Sequence, residues 1–328
     1  MDSGRERVLA YIRTNGRTRP VNLARHLNLS RMAVHKILKK LTEKEELVKF
    51  GTAPRVYYSL PHSTGSEPKM GVGERERSII EENYLYVTAT GEMLEGWAGF
   101  ERWVREIGQS QKLESLAKEY VDQRREANKM ASREGWIEAT GKFRTTFAGN
   151  WLDSVYYKDF YSLPNFGKTR LGQLVLYAKQ SQNRSLMKQV AQICKPVIGA
   201  IVEKHKISAV GYIPPTIPRQ IQFQTELDEY LALPIPKIKF RKVYSGRILV
   251  AQKTLSRFAE RVANAKETIV IEDDRVKFDC VLLIDDAVGS GATLNETAKK
   301  LKEAGMAKTV IGFAVVGSMK GFEVIQEV

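Results

Sequence analysis

Cysteine is almost missing from this sequence: Cys194 and Cys280 are the only two in 328 residues, far apart and outside any CxxC pattern. That excludes a disulfide framework and a thiolate metal site of ordinary spacing. Histidine is equally sparse, and His26, His35, His62 and His205 share no metal-ligand spacing. No apolar run is long enough to cross a bilayer, GFAVVGSM near the end having the length of a buried strand. The opening MDSGRERVLAYIRTNGR lacks the long apolar segment of a signal peptide. Internal repeats and low-complexity tracts are absent too. These absences lead to the expectation of a cytoplasmic, soluble, reduced protein with no structural metal and no membrane partner. Acidic residues are also in deficit: 38 Asp and Glu stand against 52 Lys and Arg, a formal net charge of +14.

What is there has more to say. The length suits two or three domains rather than one, and a hydrophobic fraction of 43% supports real cores rather than wholesale disorder. The positive excess argues for an anionic partner, either nucleic acid or a phosphate-rich ligand or both. It is concentrated at the front. Through Leu60, thirteen Lys and Arg face five Asp and Glu, so residues 1–60 hold +8 of the +14.

In that front segment Val8, Leu9 and Ile12 follow helical spacing until Asn15-Gly16. NLARHLNLS gives a short second helix with Leu23, Ala24 and Leu27 on one face, and Asn28 suits a left-handed turn. Ser30 is a good N-cap for a third helix, RMAVHKILKKL. Its apolar stripe is Val34, Ile37, Leu38 and Leu41, while Arg31, Met32, His35, Lys36, Lys39 and Lys40 lie opposite. LVKFGTAPRVYYSL alternates around Gly51 to Pro54 as a hairpin with a basic tip. The pattern resembles a winged helix-turn-helix over about residues 4 to 60. The resemblance implies double-stranded DNA as partner, with Arg31, Met32, His35 and Lys36 entering the major groove and Ser30 and Lys39 also at the DNA. It also implies Lys49 and Arg55 on the backbone or minor groove, in a chain that works as a homodimer.

PHSTGSEPKMGVG reads as a linker. NYLYVTATGEMLEG then gives strand, turn at Thr90-Gly91 and strand, and GFERWVREIG and LESLAKEYVDQRREANKM read as helices. Trp97, Trp103, Trp136, Trp151, Tyr156, Tyr157, Phe160 and Tyr161 make this part aromatic-rich, a set that serves either packing or base stacking. Packing is the preferred account, in a small α+β insert that covers the site of the next domain.

From about Gly167, apolar strands alternate with helices, which argues for a mainly parallel sheet covered on both faces, with ligands bound beyond the carboxyl ends of its strands. The stretch VLLIDDAVGSGATLNETAKK is placed there: strand CVLLI ends, two carboxylates follow, and a helix opens near Gly291 or Ala292. Gly289 and Gly291 allow a sharp turn with exposed N–H groups. Ser290 and Thr293 add hydroxyls, and a helix N-terminus favours a phosphate. Adjacent Asp285 and Asp286 can accept hydrogen bonds from the vicinal hydroxyls of a ribose and can place a divalent cation through water. Together these describe a ribose 5-phosphate site.

VLLIDDAVGSGATL resembles the signature of the type I phosphoribosyltransferases, departing from it at Gly289, where a hydroxyl residue is common. A narrower resemblance, over about residues 155 to 320, is to the ComF-type branch. It is carried by TRLGQLVLYAKQSQNRSLMKQVA, with Lys179, and by Gln252, Leu255, Arg261 and Asn264 of VAQKTLSRFAERVANAKETI. IPPTIPRQIQFQ fits that branch loosely, Arg219, Phe223 and Gln224 standing for its Arg-Gly-Phe-Asn run. The resemblance implies phosphoribosyl pyrophosphate or a nucleotide as ligand, with Mg²⁺. Asp285 and Asp286 are then the catalytic and metal-facing acids. Ala287, Val288, Gly289, Ser290, Gly291, Ala292, Thr293, Lys179, Arg219 and Arg241 bind phosphate, with Lys242 and Lys253 as further cations.

The expected fold class is therefore multidomain: an α+β winged helix at 1–60, a linker at 61–74, a small α+β middle region at 75–154, and an α/β parallel-sheet phosphoribosyltransferase-like domain at 155–328. Three functions remain open at this point. One is a transcription regulator whose second domain senses the ligand, and another is an active phosphoribosyltransferase acting on a nitrogen base. The third is a factor in DNA uptake or processing.

Overall fold

The computed structural model describes residues 4–15, 18–50, 56–60, 72–147, 149–243, 258–272 and 275–319. The chain divides into two compact units, Met1–Asp122 and Gln123–Val328. The expected linker at 61–74 lies mostly outside the described residues, as do Gly51 to Pro54, Arg55, Gln252, Lys253 and Leu255.

The first unit begins with α1 (Gly4–Asn15), α2 (Pro20–Leu27) and α3 (Arg31–Glu43). Val8, Ile12, Leu23, Val34, Leu38 and Leu41 are buried together in one core. The turn between α2 and α3 is made by Asn28 in the left-handed conformation (φ 52°) and by the Leu29 N–H on the Ala24 carbonyl at 3.0 Å. The Ser30 hydroxyl then accepts from the Ala33 N–H at 3.2 Å and starts α3. Antiparallel β1 (Val48–Phe50) and β2 (Tyr57–Ser59) form the expected hairpin, and Thr18 bridges Tyr58 to give it a third edge. Beyond residue 72 come α4 (Glu74–Asn83), the antiparallel pair β3 (Leu85–Val87) and β4 (Met93–Glu95), α5 (Gly96–Glu106) and α6 (Leu113–Lys129). Here Tyr84, Phe100 and Tyr120 are buried ring against ring, with centroids 5.1 to 5.6 Å apart.

The second unit is built on a six-stranded sheet in the order β10-β9-β13-β14-β6-β5. In chain order these are β5 (Ile137–Glu138), β6 (Ser154–Phe160), β9 (Ala209–Tyr212), β10 (Lys237–Ile238), β13 (Phe278–Val288) and β14 (Ala307–Gly317). All neighbours are parallel except β5 on β6. Val281, Leu282, Leu283 and Ile284 of β13 are all 0% exposed, so both faces of the sheet are covered there, as the unbroken apolar run requires. Helices α7 (Thr140–Thr146), α8 (Arg170–Gln180), α9 (Arg184–His205), α10 (Phe223–Leu231), α11 (Phe258–Thr268) and α12 (Ala292–Glu303) complete the unit. Short antiparallel pairs, β7 (Ser162–Leu163) with β8 (Gly167–Lys168) and β11 (Phe240–Lys242) with β12 (Ile269–Ile271), lie between them.

SVYYKDF, which its pattern alone does not mark as a strand, is a full strand of the central sheet, β6, and Tyr156, Tyr157 and Phe160 are buried in it. Residues 123–154 group with the second compact unit. KIKFRKV forms two short strands, β10 in the main sheet and the other in a separate ribbon. The strand of the acidic motif runs through both acids to Val288.

At the end of β6 the chain turns into α8 with almost no spare room. Thr169 donates its hydroxyl to the Phe160 carbonyl at 2.6 Å and accepts from the Gly172 N–H at 3.0 Å. A Cβ on Gly172 would lie 2.1 Å from the Tyr161 carbonyl oxygen. Gly172→Ala is expected to cost about 1–3 kcal/mol through forced backbone movement. Gly199→Ala, in the exposed interior of α9 with nothing within 4 Å, should instead add about 0.5–1 kcal/mol. Urea denaturation of the two variants checks the opposite signs.

Both thiols are inert by burial. Burial pushes Cys194 up to about 12 and Cys280 up to about 11. An aromatic disulfide reagent at pH 8 is expected to label neither cysteine in the native protein and both after denaturation.

Candidate functional site: an acidic strand end facing a glycine turn

The carboxyl end of β13 delivers Asp285 and Asp286 to one open cavity of about 180 Å³. Successive residues of a strand point to opposite faces, so the two carboxylates meet different partners. Asp286 is buried and holds the Lys179 ammonium, from the last turn of α8, at 2.6 Å. The same oxygen accepts from the Gln224 amide of α10 at 3.1 Å. Asp285 accepts the Asp286 N–H at 2.8 Å. Burial and the neighbouring Asp286 charge push the Asp285 carboxyl well above its usual range, against the pull of that N–H, Lys179 and Lys242.

Lys242 comes from β11 and donates to the Thr216 hydroxyl. Burial lowers its ammonium to about 8 even with Asp285 nearby to favour the charge. Arg219 and Arg261 also line the cavity, so four cationic side chains share it with two acids. A further wall is apolar, made by Ile213, Pro214, Pro215 and Ile217 of the loop after β9. Three prolines in that loop, Pro214, Pro215 and Pro218, remove backbone donors from it.

The remaining wall is the glycine turn. Gly291 is the residue before α12 and takes φ 74°, a left-handed conformation that a β-carbon disfavours. No side chain caps α12 from that position, and the Ser290 hydroxyl lies 3.4 Å from the Ala292 N–H. The first-turn N–H groups and the positive end of the helix field therefore face the cavity, an arrangement that receives an anion.

Of the residues expected in the site, Asp285, Asp286, Ala287, Val288, Gly289, Ser290, Gly291, Thr293, Lys179 and Arg219 line this one cavity. Ala292 and Arg241 do not. Ala292 is buried inside the first turn of α12, and Arg241 is exposed on β11, where the alternation of the strand turns its neighbour Lys242 to the cavity instead. The apolar wall from Ile213 to Ile217 was not anticipated. Its signal was the density of proline and isoleucine immediately after a strand.

In the first unit, Arg31, Met32, His35, Lys36, Lys39 and Lys40 form one exposed stripe along α3, opposite buried Val34, Leu38 and Leu41. Lys49 is exposed on β1. Residues 1–45 match a family of winged helix-turn-helix DNA-binding domains. The chain begins with a winged helix-turn-helix DNA-binding domain.

No curated protein matches the sequence. Among solved structures, the chain is similar to adenine phosphoribosyltransferase from Leishmania tarentolae, at 14% identity and a TM-score of 0.25, over 43% of this chain and 74% of that one. It is also similar to adenine phosphoribosyltransferase from Trypanosoma brucei, solved with AMP, pyrophosphate and ribose 5-phosphate. There the identity is 12% and the TM-score 0.23, over 60% of this chain and 84% of that one. No helix among the described residues is long and apolar enough to cross a membrane.

Proposed function

We propose that the protein is a DNA-binding transcription regulator whose second unit binds phosphoribosyl pyrophosphate or a nucleotide, with Mg²⁺, as effector. The observation that carries this reading is the meeting of Asp285 and Asp286 with the Gly289–Gly291 turn in one cavity, in a chain that starts with a DNA-binding domain. The carboxylates are the acceptors for the two ribose hydroxyls. The first turn of α12, with Ser290 and Thr293, receives the 5-phosphate. Lys242 and Arg219 take any further phosphate charge, since the proline-rich loop offers few N–H groups. Lys179 facing Asp286 supports the ComF-type variant of this site.

The donor set suits Mg²⁺ in one particular way. No group of three or more His, Cys, Asp or Glu that could hold a metal exists among the described residues. Mg²⁺ ordinarily binds through one or two carboxylates together with ligand phosphates and water. Asp286 is already neutralised by Lys179, which leaves Asp285 as the carboxylate that gains most from a cation. Asp285 with the ligand phosphates would hold Mg²⁺, which would supply the neutralising charge.

A second reading, an active phosphoribosyltransferase, is favoured by the presence of both acids and several cations in one open cavity. Asp285 and Asp286 then hold the ribose while pyrophosphate leaves C1′ and a base nitrogen attacks, with positioning and electrostatics as the contribution of the protein. Calorimetry with phosphoribosyl pyrophosphate, ribose 5-phosphate and nucleoside monophosphates, each with Mg²⁺, tests the common premise. Pyrophosphate release over a panel of bases then separates the two readings. Binding without release supports the effector role, release with any base supports the enzyme, and no binding at all contradicts both.

A further inference from the structure

The exposed stripe of α3 is cationic with one exception. Between Arg31 and the His35-Lys36 pair stands Met32, 84% exposed. The other exposed large hydrophobic residues among those described lie between 36% and 53%, so Met32 differs in kind from a partly covered surface residue. It has no structural task where it stands. Ser30 starts the helix, and Val34, Leu38 and Leu41 anchor it. An apolar side chain held in water within the first turn of this helix is instead available to something that docks there.

The flanking charges say what docks. Arg31, Lys36, Lys39 and Lys40 make the surroundings of Met32 complementary to a polyanion and hostile to an apolar protein surface. In helix-turn-helix domains, the N-terminal residues of the second helix of the motif reach base edges, while other cations meet phosphates. A thioether is at most a weak acceptor and has no proton to donate, so it reads a base edge by apolar contact. In the major groove, the apolar group on offer is the 5-methyl of thymine.

We propose that Met32 is a specificity residue that packs against a thymine 5-methyl group, so the preferred duplex carries a thymine opposite the first turn of α3. The inference rests on α3 being the helix that enters the major groove. Arg31 and Lys36 supply the charged contacts in the groove, and Met32 adds a preference that depends on one methyl group.

The test uses the full chain to enrich duplexes from a randomised library. The enriched duplex is then remade with each thymine in turn replaced by deoxyuridine, which deletes only the methyl. Affinity is measured for the wild type and for Met32→Ala, a variant that touches no core residue and favours the helix. Circular dichroism confirms that it folds. At one or more thymines the replacement is expected to weaken wild-type binding about fourfold, the value of one buried methyl group, and to leave Met32→Ala unaffected. The proposal is overturned if wild-type binding ignores the methyl at every thymine, or if Met32→Ala loses as much as the wild type. A library in which nothing is enriched would overturn the sequence-reading role of α3 itself, a separate failure from a methyl-blind but sequence-specific protein.

Discussion

Replacing Asp285 and Asp286 together by alanine is expected to abolish binding of phosphoribosyl pyrophosphate in the presence of Mg²⁺. Each carboxylate accepts a hydrogen bond from a ribose hydroxyl, and such charged hydrogen bonds contribute about 1.5–3 kcal/mol apiece. Losing two predicts a fall in affinity on the order of 10² to 10⁴, which takes a micromolar ligand beyond calorimetric detection. The double variant also strands Lys179, whose ammonium is 2.6 Å from Asp286 with both side chains largely buried. Removing one partner of such a pair typically costs about 3–5 kcal/mol of stability. A lost binding signal therefore has to be read beside a folding control. Asp285→Asn provides it, because the Lys179–Asp286 pair and the Gln224 contact remain. Weakened binding in a stably folded Asp285→Asn protein assigns the loss to the ligand rather than to collapse of the cavity, and unchanged binding in both variants contradicts the proposed role of the acids.

The double substitution Arg31→Ala, Lys36→Ala is expected to have a comparable effect on duplex binding. Both side chains are exposed on the stripe of α3. At about 1–3 kcal/mol for each groove contact, the pair is expected to cost on the order of 10² to 10⁴ in affinity. Lys39→Ala should behave differently. Its ammonium lies 3.8 Å from Glu43 in an exposed pair that contributes little to folding, which leaves it available to a phosphate. Its removal should weaken all sequences alike and reduce the slope of log affinity against log salt by about one. Electrophoretic or fluorescence titrations at several salt concentrations distinguish the two behaviours. A double variant that binds as tightly as the wild type would remove α3 from the interface.

The parts of this architecture that were legible from sequence are those in which local chemistry and burial agree. The stripe Val34, Ile37, Leu38, Leu41 with Ser30 before it specifies α3, and α3 forms as expected. The glycine turn after the acids specifies where α12 begins, at Ala292. Strand β6 was illegible because Lys158 and Asp159 interrupt its apolar residues. Asp159 is tolerated only because Arg124, far off in sequence on α6, meets it with two bonds of 2.9 and 3.0 Å. The acids of the site misled for the same reason. They read as the end of a strand, but β13 carries them onward with Lys179, Gln224 and neighbouring backbone as partners. Arg241 and Lys242 show a subtler limit. In a strand a shift of one residue exchanges the faces, and the register of β11 is set by β12, a partner that no local pattern identifies.

The measurement that tests the central claim most directly is the affinity of the full chain for its selected duplex, with and without saturating phosphoribosyl pyrophosphate and Mg²⁺. Regulation requires the ligand to bind the DNA-competent and DNA-incompetent states unequally, and coupling of that kind is usually worth about 1–3 kcal/mol. The account predicts a change in duplex affinity of about fivefold or more, in either direction, that disappears in the Asp285→Ala, Asp286→Ala protein. An affinity that stays constant at ligand concentrations shown by calorimetry to fill the cavity would contradict it.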